Sequence, residues 1–125
     1  VCLGMQLLAQ KGIEGGVCEG LDLIPGKVEI LKTQNLKERI PHIGWNEISK
    51  KREDKILEGV PDNSDFYFAH SYSLVPMDKE CILCTTSYCG EFVSGVKHNN
   101  IYGFQFHPEK SSFNGFKLLK NFLKV

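Results

Sequence analysis

Between Phe66 and Phe106 the chain carries four segments in succession, Phe66–Ala69, Cys81–Ser87, Phe92–Val96 and Ile101–Phe106, each rich in aromatic and β-branched residues and bounded by turn residues. Segments of that kind pair as strands, so the second half of the chain is committed to a sheet that needs apolar cover. From Ser111 or Ser112 as cap, Phe116, Leu119, Phe122 and Leu123 recur at helical spacing. This predicts a closing helix with that stripe inward and with Lys117, Lys120 and Lys124 in water, favouring its C-terminal dipole. The first half is more broken. Cys2–Gln10 reads as a helix ending at Lys11-Gly12, Pro25-Gly26 as a turn, Lys27–Leu31 as a strand, Ile43–Ile48 as a short strand, and Glu53–Leu57 as a helical turn before Pro61-Asp62-Asn63. The sum is an α/β fold with helices packed on a sheet.

The chain has 125 residues, 42% hydrophobic and 24% charged, which is the composition of one globular domain, and no repeat or linker divides it. Fifteen Lys+Arg balance fifteen Asp+Glu. A protein that grips a phosphate backbone needs a basic footprint, so no nucleic-acid partner is expected. No apolar run approaches the roughly 20 residues of a membrane span, and the expectation is a cytoplasmic protein with no membrane contact. Five cysteines without regular spacing argue for reduced thiols rather than a disulfide framework. Cys81-x-x-Cys84 with Cys89 lacks the four paired ligands of a structural zinc site, and the strand pattern accounts for Cys81 and Cys84, so no metal is expected. Gly12, Gly15, Gly16 and Gly20 are not followed by Gly-Lys-Ser/Thr, so neither a nucleotide nor any other cofactor is implied.

Reactive chemistry concentrates at two points. Val1-Cys2-Leu3-Gly4-Met5-Gln6 places a thiol at the start of an apolar helix, where the dipole and free N–H groups favour the thiolate. The arrangement matches the second half of a nucleophile elbow, with Gly4 allowing helix and strand to approach. At Phe104-Gln105-Phe106-His107-Pro108-Glu109-Lys110 an apolar strand delivers His107 at its end, and Pro108 stops ladder pairing and turns Glu109 back beside the imidazole. Taken singly, Cys2 is also compatible with a buried structural thiol and His107 with a hydrogen-bonded strand end. Joined in one α/β pattern, they read as nucleophile and proton carrier, with a carboxylate orienting the ring.

The segments VCLGMQLL, GLDLIPGKV, PHIGWN, FYFAHSY and NIYGFQFHPEKS, in that order over nearly the whole chain, resemble the class I (triad) glutamine amidotransferases. PHIGWN narrows the resemblance to the glutaminase subunits of imidazole glycerol phosphate synthases, which serve histidine biosynthesis. It implies a flavodoxin-like fold with helices on a central mixed sheet. It also implies Cys2 as nucleophile, His107 as general base and acid, and Glu109 as its orienter. Gln6 and Glu14 would hold the polar end of the substrate glutamine, the His70-Ser71-Tyr72 stretch would line the same pocket, and the Leu3 N–H would serve an oxyanion. Ammonia would pass to a (β/α)₈-barrel cyclase subunit, with Trp45, Asn46 and Lys110 at the contact. On general grounds a lone tryptophan such as Trp45 is more often a core residue than an interface one, and Lys110 more often a solvated surface lysine. Two other readings stand beside this one: a paralogue supplying ammonia to a sugar-modifying enzyme of surface polysaccharide synthesis, and a non-catalytic interaction subunit.

The chain departs from the family pattern in two respects. Asp22 stands where the family commonly has glycine. The chain opens at Val1-Cys2 without methionine, and the family's upstream strands and glycine-rich oxyanion strand have no counterpart in it. Residues 1–125 are therefore expected to be the C-terminal portion of a single amidotransferase domain with its N-terminal portion missing, insoluble or molten and without glutaminase activity when expressed alone.

Overall fold

A computed structural model describes residues 1–125. The elements run α1 (Leu3–Leu7), β1 (Lys11–Gly12), β2 (Cys18–Glu19), β3 (Gly26–Ile30), β4 (His42–Glu47), β5 (Ser49–Lys50), β6 (Asp65–His70), β7 (Tyr72–Pro76), β8 (Ile82–Ser87), β9 (Glu91–His98), β10 (Ile101–Phe104) and α2 (Ser112–Phe122). Short 3₁₀ turns lie at Lys55–Leu57, Lys79–Cys81 and Pro108–Lys110. The strands form three sheets. One has the order β2-β1-β3-β7 and is mixed, because β1 and β3 run parallel; a second is the antiparallel β10-β9-β8-β5; the third is the antiparallel pair β4-β6. The fold is thus α/β with mixed sheets and few helices.

Most of the expected strands are present, and the differences have identifiable causes. β7 was not anticipated. A single residue, Ser71, separates it from β6, and the chain bends there from one sheet into another without glycine or proline to mark the break. α1 ends well short of Gln10, because residues 20–24 fold over its C-terminal end and take its carbonyls: Leu7 C=O accepts from Leu21 N–H, Leu8 C=O from Leu23 and Ile24, and Ala9 C=O from Asp22. Gly20 in that wrap has no room for a Cβ, which would collide with the Ala9 carbonyl, and Asp22 adopts φ of +52°. A left-handed backbone of this kind is one that glycine adopts most readily.

Two apolar clusters hold the sheets together. The larger includes Phe66, Phe68, Phe104, Phe106, Leu57 and Leu83; the smaller packs Met5, Ala9, Ile24, Val28, Leu74 and Val96. Gly4 does not provide the close approach expected of it, since a Cβ there would meet nothing within 4 Å. The close approach is instead at Gly103 on β10, where a Cβ would lie 2.9 Å from Met5 and 3.1 Å from Leu8.

The closing helix buries a different face from the expected stripe. Gly115, Leu118 and Asn121 are buried, while Phe116, Phe122 and Leu123 are exposed and Leu119 is half-buried. Lys120 and Lys124 face water, but Lys117 lies half-buried across Gly59. Shape and hydrogen bonding outweigh hydrophobicity here. Gly115 sits directly on the Pro108 carbonyl, and Asn121 Nδ2 donates to the Ile56 and Glu58 carbonyls at 3.0 and 2.7 Å. Ser111 occupies the N-cap position without capping; its hydroxyl accepts from Tyr67 N–H and donates to His107 C=O. An alanine inside a helix ordinarily gains about 1 kcal/mol over glycine. Gly115→Ala is expected to do the opposite, destabilising by about 1–3 kcal/mol because its methyl must push the Pro108–Lys110 turn away, as a thermal or urea midpoint will show.

Candidate active site

The ladder of β4 and β6 fixes where the chemistry-bearing residues meet. Ile43, Trp45 and Glu47 lie opposite Ala69, Tyr67 and Asp65 on one face, and His42, Gly44 and Asn46 lie opposite His70, Phe68 and Phe66 on the other. β10 brings the two ends of the chain to the β6 strand. Cys2 N–H donates to Phe104 C=O at 2.8 Å, and Cys2 Sγ lies 3.8 Å from the Ala69 carbonyl. Two residues away along β6, His107 N–H donates to Tyr67 C=O at 2.9 Å. Nucleophile candidate and imidazole thus lean on the same strand, roughly 7 Å apart along it. No hydrogen bond joins Cys2 to His107; the sulfur's partners are Ala69 and Gln105.

Cys2 is the residue ahead of α1 and holds φ of +50° and ψ of −114°. A non-glycine residue in such a conformation is strained, and strain of this kind is typical where a side chain must be presented outward. Leu3, as the first residue of α1, has an N–H with no helical acceptor. The 3₁₀ turn Pro108–Lys110 carries Glu109 back to His107, with Oε1 2.7 Å from Nδ1. Burial tends to raise the Glu109 carboxyl, but the His107 hydrogen bond, its own backbone N–H and the charges of His107 and Lys110 prevail and hold it below the usual range.

A cleft of about 370 Å³ opens beside Cys2, lined by Leu3, Gln6, Glu14, His70, Ser71 and Tyr72 together with Pro41, Ile43 and Ala69. Every residue expected in the substrate pocket therefore borders one space. Lys110 Nζ sits 5.9 Å over the Tyr67 ring, which meets Trp45 edge-on at 6.1 Å. Trp45 is 54% exposed, so these two residues and Tyr67 form a surface patch next to His107. Asn46 is not part of it: from the opposite face of β4 it turns its amide toward His42 and the Ser87 carbonyl.

Two residues at the site, Gln105 and His42, carry no motif of their own in the local sequence. Gln105 is fully buried with Nε2 3.6 Å from Cys2 Sγ, and only its place one step ahead of Phe106-His107 could have pointed to it. His42 is buried 3.0 Å from His70, a pairing that local pattern does not encode. Among the other cysteines, burial pushes the Cys84 thiol up to about 12 and also raises Cys81 and Cys89, leaving all three as neutral thiols. No cluster of three or more His, Cys, Asp or Glu side chains is placed to hold a metal ion.

The histidine pair makes stability depend on pH. Burial, reinforced by mutual proximity, lowers His42 from 6.5 to about 4, and burial likewise lowers His70 to about 4. Between those values the unfolded chain binds more protons than the folded one, so acidification favours unfolding. The stabilisation is complete above about pH 6.5 and is lost as pH falls through about 4. A loss on the order of 3 kcal/mol per histidine, about 6 kcal/mol for the pair, is expected over that interval in urea midpoints.

The class follows from this arrangement: a thiol on a strained turn, a His-x-Glu pair at the 3₁₀ turn beyond β10, and a cleft with Gln6 and Glu14 on its wall, within an α/β fold. A family model described as glutamine amidotransferase class-I matches residues 1–125, and the chain belongs to that family. Within it, the chain is similar to the imidazole glycerol phosphate synthase subunit HisH of Pelagibacter ubique, 46% identical over all of this chain and 60% of that relative. The HisH subunit of Pyrococcus furiosus is 51% identical over all of this chain and 63% of its own length. The chain thus spans about three-fifths of the curated relatives it matches. A crystal structure from Thermoplasma acidophilum, of a protein described as belonging to a GMP synthase, superposes with a TM-score of 0.61 at 22% identity, covering 78% of this chain and 47% of that one, a likeness of fold. No helix is long and apolar enough to cross a membrane.

Proposed function

We propose that this chain carries the glutaminase chemistry of an imidazole glycerol phosphate synthase, hydrolysing glutamine to glutamate and ammonia through Cys2, His107 and Glu109. The observation that carries the reading is the single cleft joining Cys2 to Leu3, Gln6, Glu14 and the 70–72 stretch, with a histidine already paired to a carboxylate beside it. Cys2 attacks the side-chain amide of glutamine, and the oxyanion forms against the free Leu3 N–H. His107 takes the proton of the Cys2 thiol, gives it to the departing amide nitrogen, and then accepts a proton from the water that hydrolyses the glutamyl thioester, while Glu109 holds the ring by Nδ1. Both Gln6 Nε2 protons are engaged within the protein, on Tyr72 C=O and Gln105 Oε1, so its own oxygen and the Glu14 carboxylate are the acceptors offered to the substrate ammonium.

Ammonia is mostly protonated in water, so a nucleophilic use of it calls for direct transfer to a synthase partner, which in this reading is a (β/α)₈-barrel cyclase. Trp45 and Lys110, gathered around Tyr67 beside His107, are the proposed docking patch. Glutamate release by the complete protein, measured with and without the cyclase, tests the function, and stimulation by the cyclase is expected. Trp45→Ala and Lys110→Ala should each weaken complex formation about tenfold or blunt stimulation, with little change in melting temperature because both side chains are largely exposed. Unchanged affinity and stimulation would remove the patch from the interface.

A further inference from the structure

One continuous run of hydrogen bonds leads through the polar interior to the sulfur of Cys2, and the direction of each bond follows from its chemistry. The Tyr72 carbonyl can only accept, so Nδ1 of His70, 2.8 Å away, carries the ring proton. The neutral ring then has its lone pair on Nε2, and Nδ1 of His42, 3.0 Å from it, must donate. That leaves His42 Nε2 to accept from Asn46 Nδ2 at 3.3 Å. The same Tyr72 carbonyl accepts from Gln6 Nε2 at 3.1 Å, which also donates to Gln105 Oε1 at 3.2 Å. Gln105 can therefore face Cys2 Sγ only with Nε2, at 3.6 Å.

We propose that Gln105 stabilises the ionised sulfur of Cys2 by donating from Nε2, and that His42 and His70 are positioning residues that fix the Gln105 amide through the Tyr72 carbonyl and Gln6. The proposal rests on the reading of Cys2 as nucleophile. Flipping the Gln105 amide would set its oxygen against the sulfur and its NH₂ against the NH₂ of Gln6, and both contacts are repulsive. Gln6 is likewise locked, since the Tyr72 carbonyl has no proton to give. The sulfur's other contact, the Ala69 carbonyl, suits a thiol and repels a thiolate, so on ionisation the sulfur depends on Gln105. Buried His42 and His70 stay neutral at physiological pH, as the run requires, because an imidazolium at His70 could not accept from His42. The other ionisable groups lining the cleft are Glu14 and Tyr72, and the His107–Glu109 pair leans on β6 at Tyr67, two residues from Ala69.

The test is the rate of alkylation of Cys2 by iodoacetamide in the complete protein, read by mass spectrometry of the Cys2 peptide as a function of pH. Gln105→Leu is expected to slow the reaction about tenfold at about pH 7 and to match the wild type at about pH 10, where the thiol ionises in both. Equal rates at neutral pH, or equal slowing at every pH, would overturn the donor role. Should Gln105→Leu fail to fold, Gln105→Glu keeps the shape and the acceptor for Gln6; it is expected to slow neutral-pH alkylation at least as much, and a wild-type rate would overturn the role. His42→Phe keeps a flat ring between Phe68 and Tyr88 but removes the donor to His70. It should give a pH-dependent slowing of about threefold that His42→Gln reverses, and a wild-type profile would end the positioning role. Nitrogen-15 spectra of the rings should show Nδ1–H on both, and an Nε2–H on His70 would contradict the run. None of these readouts involves glutamine. A wild type that does not hydrolyse glutamine yet shows the alkylation shift would sink the proposed function and leave the Gln105 assignment standing.

Discussion

Cys2→Ala in the complete protein is expected to abolish glutamine hydrolysis while leaving the cyclase partner able to use ammonium salts. In the proposed mechanism only ammonia production passes through a thioester, and among the other four thiols Cys18 lies exposed on β2, outside the cleft that Cys2 borders. Cys84 is fully buried, and Cys81 and Cys89 have thiols raised by burial. Cys2 alone combines a strained turn, a neighbouring free N–H and an open cleft. A glutamine-mimicking electrophile should accordingly label Cys2 in preference to the other four cysteines, the exposed Cys18 included. Glutamine turnover above background in Cys2→Ala would show that the nucleophile is elsewhere.

Losses at the other two triad positions should be unequal. In the proposed mechanism His107 moves the proton in both half-reactions, so His107→Ala is expected to lower kcat by several orders of magnitude. Glu109→Gln keeps the shape but loses the charge that fixes the tautomer, and should cost on the order of 10²-fold or more. Its carboxylate is half-exposed, at 51% of the side-chain surface, and water can share part of its role. Because the groups act as a unit, the double variant should be little worse than His107→Ala alone. A nearly active His107→Ala protein would leave the proposed mechanism without its base.

Much of the site was legible in local sequence because its parts are local. The strand ends at Phe104, earlier than the apolar run to Phe106 suggests, and Pro108 opens a 3₁₀ turn that carries the carboxylate two residues after the imidazole back to His107. The substrate-pocket residues came from resemblance of motifs rather than periodicity, and they border one cleft because β6, the bend at Ser71 and α1 converge there. Gln105 and His42 were illegible for the opposite reason. Each acquires its part from a partner distant in sequence, and an isolated glutamine or histidine in a strand has no pattern that names that partner.

Local residue pattern therefore suffices for the segments that become β3, β4, β6, β8, β9 and β10, for the presence of a closing helix, and for the types of side chain able to act as nucleophile, base and orienter. Tertiary structure alone decided that Tyr72–Pro76 pairs as a strand with β3, that α1 stops at Leu7 under the wrap of residues 20–24, and that α2 turns Gly115, Leu118 and Asn121 inward while Phe116 and Phe122 face out. The physical reason is common to all three. Periodicity records how well a segment can present one face, whereas the face actually buried depends on the shape and unpaired polar groups of what it packs against. For α2 these are the Pro108 carbonyl, which only a glycine can approach, and two backbone carbonyls that only an inward amide can satisfy.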